Sequence, residues 1–288
     1  YGDGELQAFV DETGSKAIYG DFIALNESGD IGGDYDVIHH LAALLGVQNV
    51  LENSYRVLTL NVQLTEAALE CASRQKNLRR FVYYSTSEVY AGTLTQYGLT
   101  FPTPVDTSLT VSDLTSPRTS YMLSKIYGEA LCHQSGAPFT IFRPHNIYGP
   151  RMGVSHVIPQ VMKRLLDGKA GDDFEIFSPD HQRTFCFVED AVEWIARLSV
   201  SEQGVNETYN LGCQTPEITM EALTQLIATV VDRHPNFVTG EQHAGSPSRR
   251  CPDTHDTVAD SGYTAQTSLE QGISRTYEWY APVLQAAS

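Results

Sequence analysis

The stretch Arg80-Phe-Val-Tyr-Tyr-Ser-Thr-Ser-Glu-Val-Tyr90 decides the fold that we predict for this chain of 288 residues. Its first half is apolar and aromatic, and its second half carries hydroxyls and a carboxylate. That order is typical of a buried strand that ends in a polar turn. Residues 138–150 repeat the order, since an apolar run there also passes into a polar loop. Strands with so little polar alternation are typical of parallel sheets covered on both faces.

Helical patterns lie on either side of the first of these strands. Apolar residues recur on one face from residue 54 to residue 75, with polar residues opposite. Ser116 and Pro117 suit the N-cap and the first position of a later helix, which carries Tyr121. Nearer the N-terminus, two short apolar runs are predicted strands, at residues 16–21 and 34–43. This alternation predicts an α/β fold, a Rossmann-like doubly wound parallel sheet.

After about residue 150, the predicted strands and helices no longer alternate regularly. The patterns there predict helices at residues 158–166, 190–198, 220–231 and 269–280, and strands at residues 174–177 and 185–188. We expect a smaller lobe against the edge of the sheet, with a cleft at the carboxyl ends of the strands. The predicted domains are residues 1–150 for the sheet and residues 151–288 for the lobe, with residues 180–212 returning to the sheet domain.

The composition limits the possible partners and the compartment. A formal net charge of −16 argues against nucleic acid or an anionic membrane as a partner, because either would need a basic face. No apolar run is long enough to span a bilayer and no leader pattern occurs, so we expect a cytoplasmic protein. Five cysteines are scattered without a C-x-x-C spacing, which indicates reduced thiols and no metal site.

Tyr121 and Lys125 form a pair with chemical potential. Their spacing of four places them on one face of a helix, as neighbours along its axis. An ammonium beside a phenol favours the phenolate, so we expect Lys125 to lower the pKa of Tyr121 from its usual value of about 10. A tyrosine of that kind can act as a general base near neutral pH. The same spacing also occurs by chance on solvated helices, so the pair alone leaves both interpretations open.

A polar run, Ser85-Thr86-Ser87-Glu88, stands at the carboxyl end of the predicted strand. Doubly wound sheets bind their ligands at that edge. The run would supply hydrogen-bonding hydroxyls and a carboxylate for proton transfer beside the Tyr–Lys pair. A capping turn, in which Ser or Thr is followed by Glu, would produce the same residues, and the segment alone does not separate the two interpretations.

Several further motifs accompany these two in a fixed order. They are His40-Leu-Ala-Ala43, Phe81-Val-Tyr-Tyr-Ser-Thr-Ser-Glu-Val-Tyr90, Tyr121-x-x-x-Lys125, Arg143-Pro-His-Asn-Ile-Tyr-Gly-Pro-Arg-Met152, Gln182-Arg-Thr-Phe-Cys-Phe-Val-Glu-Asp190, Tyr209-Asn-Leu-Gly212 and Arg249-Arg-Cys-Pro-Asp253. Together they resemble the extended short-chain dehydrogenase/reductases, and in particular the NAD-dependent nucleotide-sugar epimerase/dehydratase family. The resemblance covers essentially the whole chain.

The resemblance implies NAD as the cofactor and gives individual residues a role. Tyr121 would remove the proton of the sugar 4-hydroxyl, Lys125 would hold the nicotinamide ribose, and Thr86 would touch the 4-oxygen. The implied catalytic set is Thr86, Ser87, Glu88, Tyr121 and Lys125. Asp21 would bond the adenine amino group, and the implied cofactor contacts as a whole are Asp21, Leu41, Ala42, Ala43, Asn61, Ser85, Tyr121, Lys125 and Pro144.

The implied substrate is a nucleoside-diphosphate sugar. Its diphosphate would be held by Asn146, Arg183 and Arg250. A local cluster of arginines suits such a ligand, because planar guanidinium groups match phosphate oxygens. The other arginines in or beside these motifs are Arg143, Arg151 and Arg249. For Arg151 and Arg249, an ion pair at the surface is the alternative to a place in this cluster.

One feature of the resembled family is missing at the N-terminus. Family members begin with a strand and a Gly-x-x-Gly-x-x-Gly turn, which holds the cofactor pyrophosphate. Here Asp21 comes too early for that unit, and Gly2 and Gly4 follow no predicted strand. We therefore expect the first βαβ unit to be absent and NAD to bind weakly or not at all. A chain extended upstream by one such unit would bind it tightly.

The resemblance leaves more than one activity open. The leading hypothesis is an epimerase or dehydratase that acts through a 4-keto sugar and returns the hydride, so that no net redox change occurs. The string Thr86-Ser-Glu88 resembles UDP-glucuronate decarboxylases and 4,6-dehydratases, and in the dehydratases the matching Glu abstracts the C5 proton. A non-catalytic nucleotide-sugar-binding relic is the alternative from another class.

The resemblance also implies a homodimer. In the family, the helix after the His40-Leu-Ala-Ala43 motif and the Tyr121 helix pair across a two-fold axis as a four-helix bundle. Both helices carry apolar residues beyond one face, among them Leu64 and Leu69 on the first and Ile126 and Leu131 on the second.

Overall fold

Helices and short strands alternate along residues 3–169, 171–241 and 247–286, which the computed structural model describes. The helices are α1 (Asp3–Thr13), α2 (Phe22–Ser28), α3 (Val47–Glu52), α4 (Ser54–Ser73), α5 (Ala91–Tyr97), α6 (Pro117–Gln134), α7 (Val157–Asp167), α8 (Val188–Leu198), α9 (Met220–Val230), α10 (His255–Ser261) and α11 (Leu269–Ala286). The strands are β1 (Val37–His40), β2 (Arg80–Tyr84), β3 (Phe139–Pro144), β4 (Ile147–Tyr148), β5 (Asp173–Ile176), β6 (Gln182–Thr184), β7 (Cys186–Phe187), β8 (Glu207–Leu211), β9 (Glu217–Thr219), β10 (Asn236–Thr239) and β11 (Arg249–Arg250). A 3₁₀ helix spans Ser87–Tyr90.

The main sheet contains four parallel strands in the order β1-β2-β3-β8. Its register places Tyr83 beside Ile141 and Phe142 beside Tyr209. Because all four strands run the same way, their carboxyl ends share one edge of the sheet. The predicted α/β fold with a Rossmann-like parallel sheet is confirmed.

Helices cover both faces of this sheet. Successive side chains of a strand point to opposite faces, and β2 shows the consequence. Tyr83 belongs to a buried cluster with Ala68 of α4 and Cys132 of α6. Its neighbour Val82 belongs to a second buried cluster, with Trp194 of α8. Burial on both sides explains why the strand reads as a nearly continuous apolar run.

Helix α6 lies unusually close to β2, and Gly128 is the reason. A Cβ atom at this position would lie 2.0 Å from the Tyr83 hydroxyl oxygen, so only a residue without a side chain fits there. The close approach lets a long side chain of α6 reach the carboxyl end of β2. Lys125 does so, and its Nζ donates to the backbone oxygen of Tyr84 at 2.8 Å.

A third apolar cluster fills the later part of the chain. Ile158 and Met162 of α7, Ile227 of α9 and Ile273 of α11 pack there with Phe174 of β5. Strand β8 instead pairs with β3 in the main sheet. The division of the chain at residue 150 and the return of residues 180–212 to the sheet domain stay predictions.

Most of the predicted elements are confirmed. Residues 54–75 and the segment after Ser116 form α4 and α6. The predicted strands at 34–43, 174–177 and 185–188 correspond to β1, β5 and β7, and the predicted helices at 158–166, 190–198, 220–231 and 269–280 correspond to α7, α8, α9 and α11.

The predicted strand at residues 16–21 is wrong. The segment lies between α1 and α2, and Asp21 is the N-cap of α2, where its Oδ1 accepts the backbone N–H of Ala24 at 3.1 Å. Tyr19, at the centre of the apolar run, is 68% exposed. A short apolar run becomes a strand only where a neighbouring strand pairs with it, and none does here. Helix α5 is a further element that the sequence analysis did not predict.

Two predictions from composition can be compared with the described residues. All five cysteines are free thiols, as predicted. Within residues 3–169, 171–241 and 247–286, no helix is both long and apolar enough to cross a bilayer. The cytoplasmic location stays a prediction.

Candidate active site

Tyr121 and Lys125 meet at the carboxyl end of β2. Lys125 is 4% exposed, and its Nζ lies 2.8 Å from the Tyr84 backbone oxygen. The same nitrogen lies 5.8 Å from the centroid of the Tyr121 ring and 5.1 Å from that of the Tyr83 ring. The structure therefore brings the predicted pair together at the edge where doubly wound sheets bind ligands.

The electrostatics of this pair differ from the prediction. Burial lowers the pKa of Lys125 to about 8. Burial, and then the negative charge of Glu88, raise the pKa of Tyr121 to about 12. The prediction that Lys125 lowers the pKa of Tyr121 is therefore wrong for the protein alone. Both groups have lost water, and desolvation disfavours the charged form of each. At neutral pH Tyr121 is a protonated phenol.

Glu88 and Arg250 form an ion pair beside Tyr121. Arg250 Nη2 donates to Glu88 Oε1 at 2.6 Å. Glu88 lies in the first turn of the 3₁₀ helix after β2, and its backbone N–H donates to Thr86 Oγ1 at 3.2 Å. The capping turn that we weighed as an alternative is thus present, with Thr86 as its cap. It also directs the Glu88 carboxylate towards β11.

The three residues that the resemblance assigns to the diphosphate lie around β6. Strands β6 and β11 are parallel and place Arg183 directly beside Arg250. Burial, and then the charge of Arg250, lower the pKa of Arg183 to about 10. Arg183 also donates to the backbone oxygens of Gln182 and Pro247. Asn146 Nδ2 donates to the Thr184 backbone oxygen at 2.9 Å, which fixes it next to the same strand.

A cavity of about 500 Å³ adjoins the Glu88–Arg250 pair. Of the predicted site residues, Ser87, Glu88 and Arg250 line it. Its wall also includes apolar side chains, among them Leu94 and Phe101. The volume and the mixed wall are typical of pockets for small organic ligands. Tyr121, Thr86, Lys125, Asn146 and Arg183 do not belong to the described lining.

Arg249 also lines this cavity, but its charge is already paired. Its guanidinium donates to both carboxylate oxygens of Glu217, at 2.7 Å each. Arg249 therefore forms the ion pair that we weighed for it as the alternative, at the rim of the cavity.

The loop after β1 carries the predicted cofactor residues Leu41, Ala42 and Ala43. Leu41 is 62% exposed, so this loop presents an apolar surface at the sheet edge. Asn61 of α4 holds the loop: its Oδ1 accepts the N–H of Leu44 at 2.6 Å, and its Nδ2 donates to the Leu44 oxygen at 3.0 Å. The structure thus assigns Asn61 a positioning role, because its amide is committed to the backbone. The predicted direct contact of Asn61 with the cofactor stays a prediction.

A buried network under the site was not predicted. Arg143 Nε and Nη2 donate to the two oxygens of Glu129, at 2.9 and 2.6 Å, and both side chains are only 7% exposed. Ser85 Oγ donates to Glu129 at 2.5 Å. Arg143 is therefore neutralised inside the protein and does not belong to the arginine cluster at the cavity. Glu129 stands four residues after Lys125, and only the folded chain reveals that its partner is Arg143.

The remaining predicted cofactor residues are Asp21 and Pro144. Pro144 ends β3 and is half-buried at the carboxyl edge of the sheet. Asp21 caps α2, and no strand places it at that edge. Its implied contact with adenine stays a prediction.

Comparison with known sequences identifies relatives of this chain. A profile of the NAD-dependent epimerase/dehydratase family matches residues 10–212. A UDP-N-acetyl-alpha-D-glucosaminuronate decarboxylase from Bacillus cytotoxicus is 30% identical over 274 residues, which cover 90% of this chain and 80% of that protein. A dTDP-D-glucose 4,6-dehydratase from Homo sapiens is 25% identical over 259 residues, covering 85% of this chain and 68% of that protein.

A solved structure shares the fold. The UDP-glucuronic acid 4-epimerase from Bacillus cereus, in complex with UDP-glucuronic acid and NAD, matches with a TM-score of 0.76 at 22% identity. The match covers 95% of this chain and 85% of that chain. The profile spans well over half of the chain, from α1 to the residue after β8. The resemblance drawn from the motifs is thereby confirmed, and the chain belongs to the NAD-dependent epimerase/dehydratase family.

Proposed function

We propose that this protein converts a nucleoside-diphosphate sugar, with Tyr121 as the base and Glu88 as a second acid–base group. One observation carries the proposal. Helix α6 brings Tyr121 and Lys125 against the end of β2, and the residues that follow the same strand bring Glu88 to Arg250 at 2.6 Å. A phenol, an ammonium, a carboxylate and a guanidinium thus converge where a sugar and its diphosphate would lie. The relatives of this chain are enzymes of nucleotide-sugar metabolism, which agrees with this.

The described residues fit the nicotinamide end of NAD. Lys125 is a buried ammonium with three N–H donors, and its single hydrogen bond in the described structure goes to the Tyr84 backbone oxygen. Two donors remain for ribose hydroxyls, and the exposed loop at Leu41 and Ala42 offers an apolar surface nearby. When bound, NAD supplies the hydride acceptor of the reaction and a positively charged ring. Residues 3–36 contain two helices and no strand, so no strand-to-helix glycine turn for the pyrophosphate occurs among them.

The work of Tyr121 is to remove the proton of a sugar hydroxyl. As a phenol with a pKa of about 12 it must first become more acidic, and a positive charge brought beside it has that effect. Lys125 supports this, because its Nζ lies 5.8 Å from the centroid of the Tyr121 ring and its remaining N–H groups would hold the ribose. Tyr121 can thus act as a base when a positive charge lies beside it.

Glu88 extends the chemistry beyond simple epimerisation. Its carboxylate lines the cavity and is oriented by Arg250, so it can take or deliver a proton at a second carbon of the sugar. We propose a dehydratase-type role for Glu88 at C5. Arg183 and Arg250 would hold the diphosphate, since the pairing of β6 with β11 makes the two residues neighbours.

Decarboxylation of a nucleotide uronate is the second candidate. The presence of Arg250 in the cavity wall favours it, because a guanidinium matches a sugar carboxylate as well as a phosphate. The relative from Bacillus cytotoxicus is named for that reaction. A screen of UDP-, GDP- and dTDP-hexoses and of UDP-uronates, read by mass and NMR, separates the activities. Loss of water indicates a dehydratase, loss of carbon dioxide a decarboxylase, and an unchanged mass with altered stereochemistry an epimerase. No product from any of these sugars would contradict the proposal and favour a non-catalytic binding protein.

The first prediction concerns the base. We expect Tyr121→Phe to lower product formation at least about 100-fold with an unchanged melting temperature, because one oxygen is lost while the ring stays. Tyr127→Phe is the matched control, since Tyr127 lies on the same helix and is 46% exposed. Product formation by Tyr121→Phe at the wild-type rate would exclude Tyr121 as the base.

The second prediction concerns the diphosphate. Arg250→Ala should raise KM roughly 10- to 150-fold, with a smaller effect on kcat, because a charge-assisted contact contributes about 1.5–3 kcal/mol in ground and transition states alike. Arg249→Ala, in the same strand but paired with Glu217, should change KM far less. A collapse of kcat at constant KM would instead mean that Arg250 acts only by orienting Glu88.

The third prediction uses the depressed pKa of Lys125. Below about pH 8 this lysine is charged in both the folded and the unfolded chain, so the cost of burying the charge is fully present. Between pH 8 and its unfolded pKa of about 10.4, the folded protein releases the proton and the cost disappears. The free energy of unfolding of the wild type should therefore rise relative to that of Lys125→Met, by on the order of 3 kcal/mol over this range. Urea denaturation at several pH values measures it, and a pH-independent difference would refute the assignment.

We further propose that the chain forms a homodimer through α4 and α6. The two helices pack on each other. Exposed apolar and aromatic side chains lie on or beside them: Tyr127 on α6, Tyr55 at the start of α4 and Leu51 on the preceding helix α3. We expect light scattering at micromolar concentration to give twice the chain mass. Tyr127→Glu should shift the protein towards monomer, whereas Val200→Glu, at an equally exposed apolar position after α8, should not. A wild-type protein of single-chain mass would contradict the proposal.

A further inference from the structure

One buried side chain beside the cavity has a polar atom that the protein does not use. His145 follows Pro144 at the end of β3, is 2% exposed, and lines the cavity together with Glu88 and Arg250. Its backbone N–H donates to the Leu211 oxygen at 2.8 Å, which ties it to the end of β8. Nε2 of the ring lies 3.2 Å from Asn210 Oδ1. Within the described residues, Nδ1 is buried and has no hydrogen-bond partner.

The network around Asn210 fixes which nitrogen of His145 carries the proton. Asn210 Nδ2 donates to the backbone oxygens of Thr103 and Asp253, at 2.9 and 3.1 Å, so the amide has only one possible orientation. Its Oδ1 then faces His145 and can only accept. His145 Nε2 is therefore the protonated nitrogen, and it donates to Asn210.

Arg143 enforces the same assignment from the other side. Its Nη1 donates to the Tyr90 hydroxyl at 2.7 Å, because a guanidinium can donate hydrogen bonds but cannot accept them. Tyr90 must then give its own proton to Asn210 Oδ1, at 2.8 Å. Asn210 Oδ1 thus accepts from Tyr90 and from His145, and neither bond can be reversed.

The ring is also neutral at physiological pH. Burial, and then the positive charge of Arg250, lower the pKa of His145 to about 3, and Arg143 acts in the same direction. A neutral ring protonated at Nε2 has a lone pair at Nδ1. That nitrogen is a hydrogen-bond acceptor in a fixed position. The neighbouring Tyr90 hydroxyl donates to Asn210, and the positive charges of Arg143 and Arg250 oppose protonation of the ring.

We propose that His145 Nδ1 binds a hydrogen-bond donor of the substrate, a sugar hydroxyl that enters the cavity. This rests on the proposed function and adds a specificity-determining contact to it. The phosphates and a sugar carboxylate cannot occupy the position, because in their ionised forms they only accept. Arg250 and His145 thus select opposite features of one ligand: Arg250 an anionic acceptor and His145 a neutral donor.

Two substitutions distinguish the roles of the two ring nitrogens. His145→Gln places an amide N–H near the position of Nε2, keeps the bond to Asn210, and removes the acceptor at Nδ1. His145→Asn places an amide oxygen near the position of Nδ1 and gives up the bond to Asn210. We expect the first to fold like the wild type and to lose the ligand contact, and the second to retain part of that contact.

The experiment measures binding, so that it does not depend on turnover. UDP-glucose and UDP-glucuronate are titrated by calorimetry, each with a series in which one sugar hydroxyl is replaced by fluorine. For one position of the series, we expect the wild type to bind about 5- to 30-fold more weakly than it binds the parent sugar. His145→Gln should bind the parent sugar more weakly by a similar factor and should lose nothing further with that fluorinated sugar. A merely structural role would weaken all sugars of the series equally.

A ligand-independent measurement completes the test. In protein labelled with ¹⁵N-histidine, the Nδ1 resonance of His145 should be that of an unprotonated nitrogen and should stay unchanged from pH 5 to pH 8. Protonation of Nδ1, or a titration in this range, would overturn the inference. Binding of both parent sugars without coupling between His145 and any hydroxyl would overturn it as well and would leave the proposed function intact. Failure of the wild type to bind either sugar, or any other nucleotide sugar, would refute the proposed function and this inference together.

Discussion

The structure around the site depends on one buried ion pair, between Glu129 of α6 and Arg143 of β3. Both side chains are 7% exposed, and two hydrogen bonds join them. Burying two charges is costly and is offset only when their geometry and their remaining hydrogen bonds are complete. Here they are nearly so, because Ser85 donates to the carboxylate and the Val105 oxygen accepts from the guanidinium. Removal of either partner would leave an unpaired buried charge, at a cost of about 3–5 kcal/mol.

That ion pair also gives the neighbouring hydrogen bonds a direction. A guanidinium only donates, so the order of donors and acceptors is set at Arg143 and passes through Tyr90 to Asn210. The same pair fixes α6 to β3, and α6 carries Tyr121 and Lys125. The position of the proposed base and the tautomer of His145 therefore have a common origin in the core. This is how a rigid interior can orient a site on the loops that follow the strands.

The sequence predicted those features that depend on local patterns and missed those that depend on distant partners. Strand β2 and helix α6 were predictable, because an apolar run and an amphipathic helix with proline in its first turn are local signals. Residues 16–21 show an apolar run too, but a strand needs a pairing neighbour. The pKa of Tyr121 was predicted in the wrong direction, because a spacing of four places Lys125 nearby but says nothing about how much water the two groups lose. The ion pair of Glu129 was not predicted, because its partner Arg143 lies on β3 and only the fold brings the two side chains together.

Desolvation acts on Tyr121 and Lys125 in a way that links binding to catalysis. It keeps the phenol protonated and makes the ammonium give up its proton more easily, which weakens Tyr121 as a base and Lys125 as a cation. A ligand that brings ribose hydroxyls to Lys125 and a positive charge to Tyr121 would reverse both effects, since hydrogen bonds favour the ammonium and the charge favours the phenolate. Glu88 opposes that change, because its negative charge raises the pKa of Tyr121 even with Arg250 at 2.6 Å. In the proposed reaction, the charge balance of this ion pair therefore affects the acidity of Tyr121, in addition to any contact that the pair makes with the substrate.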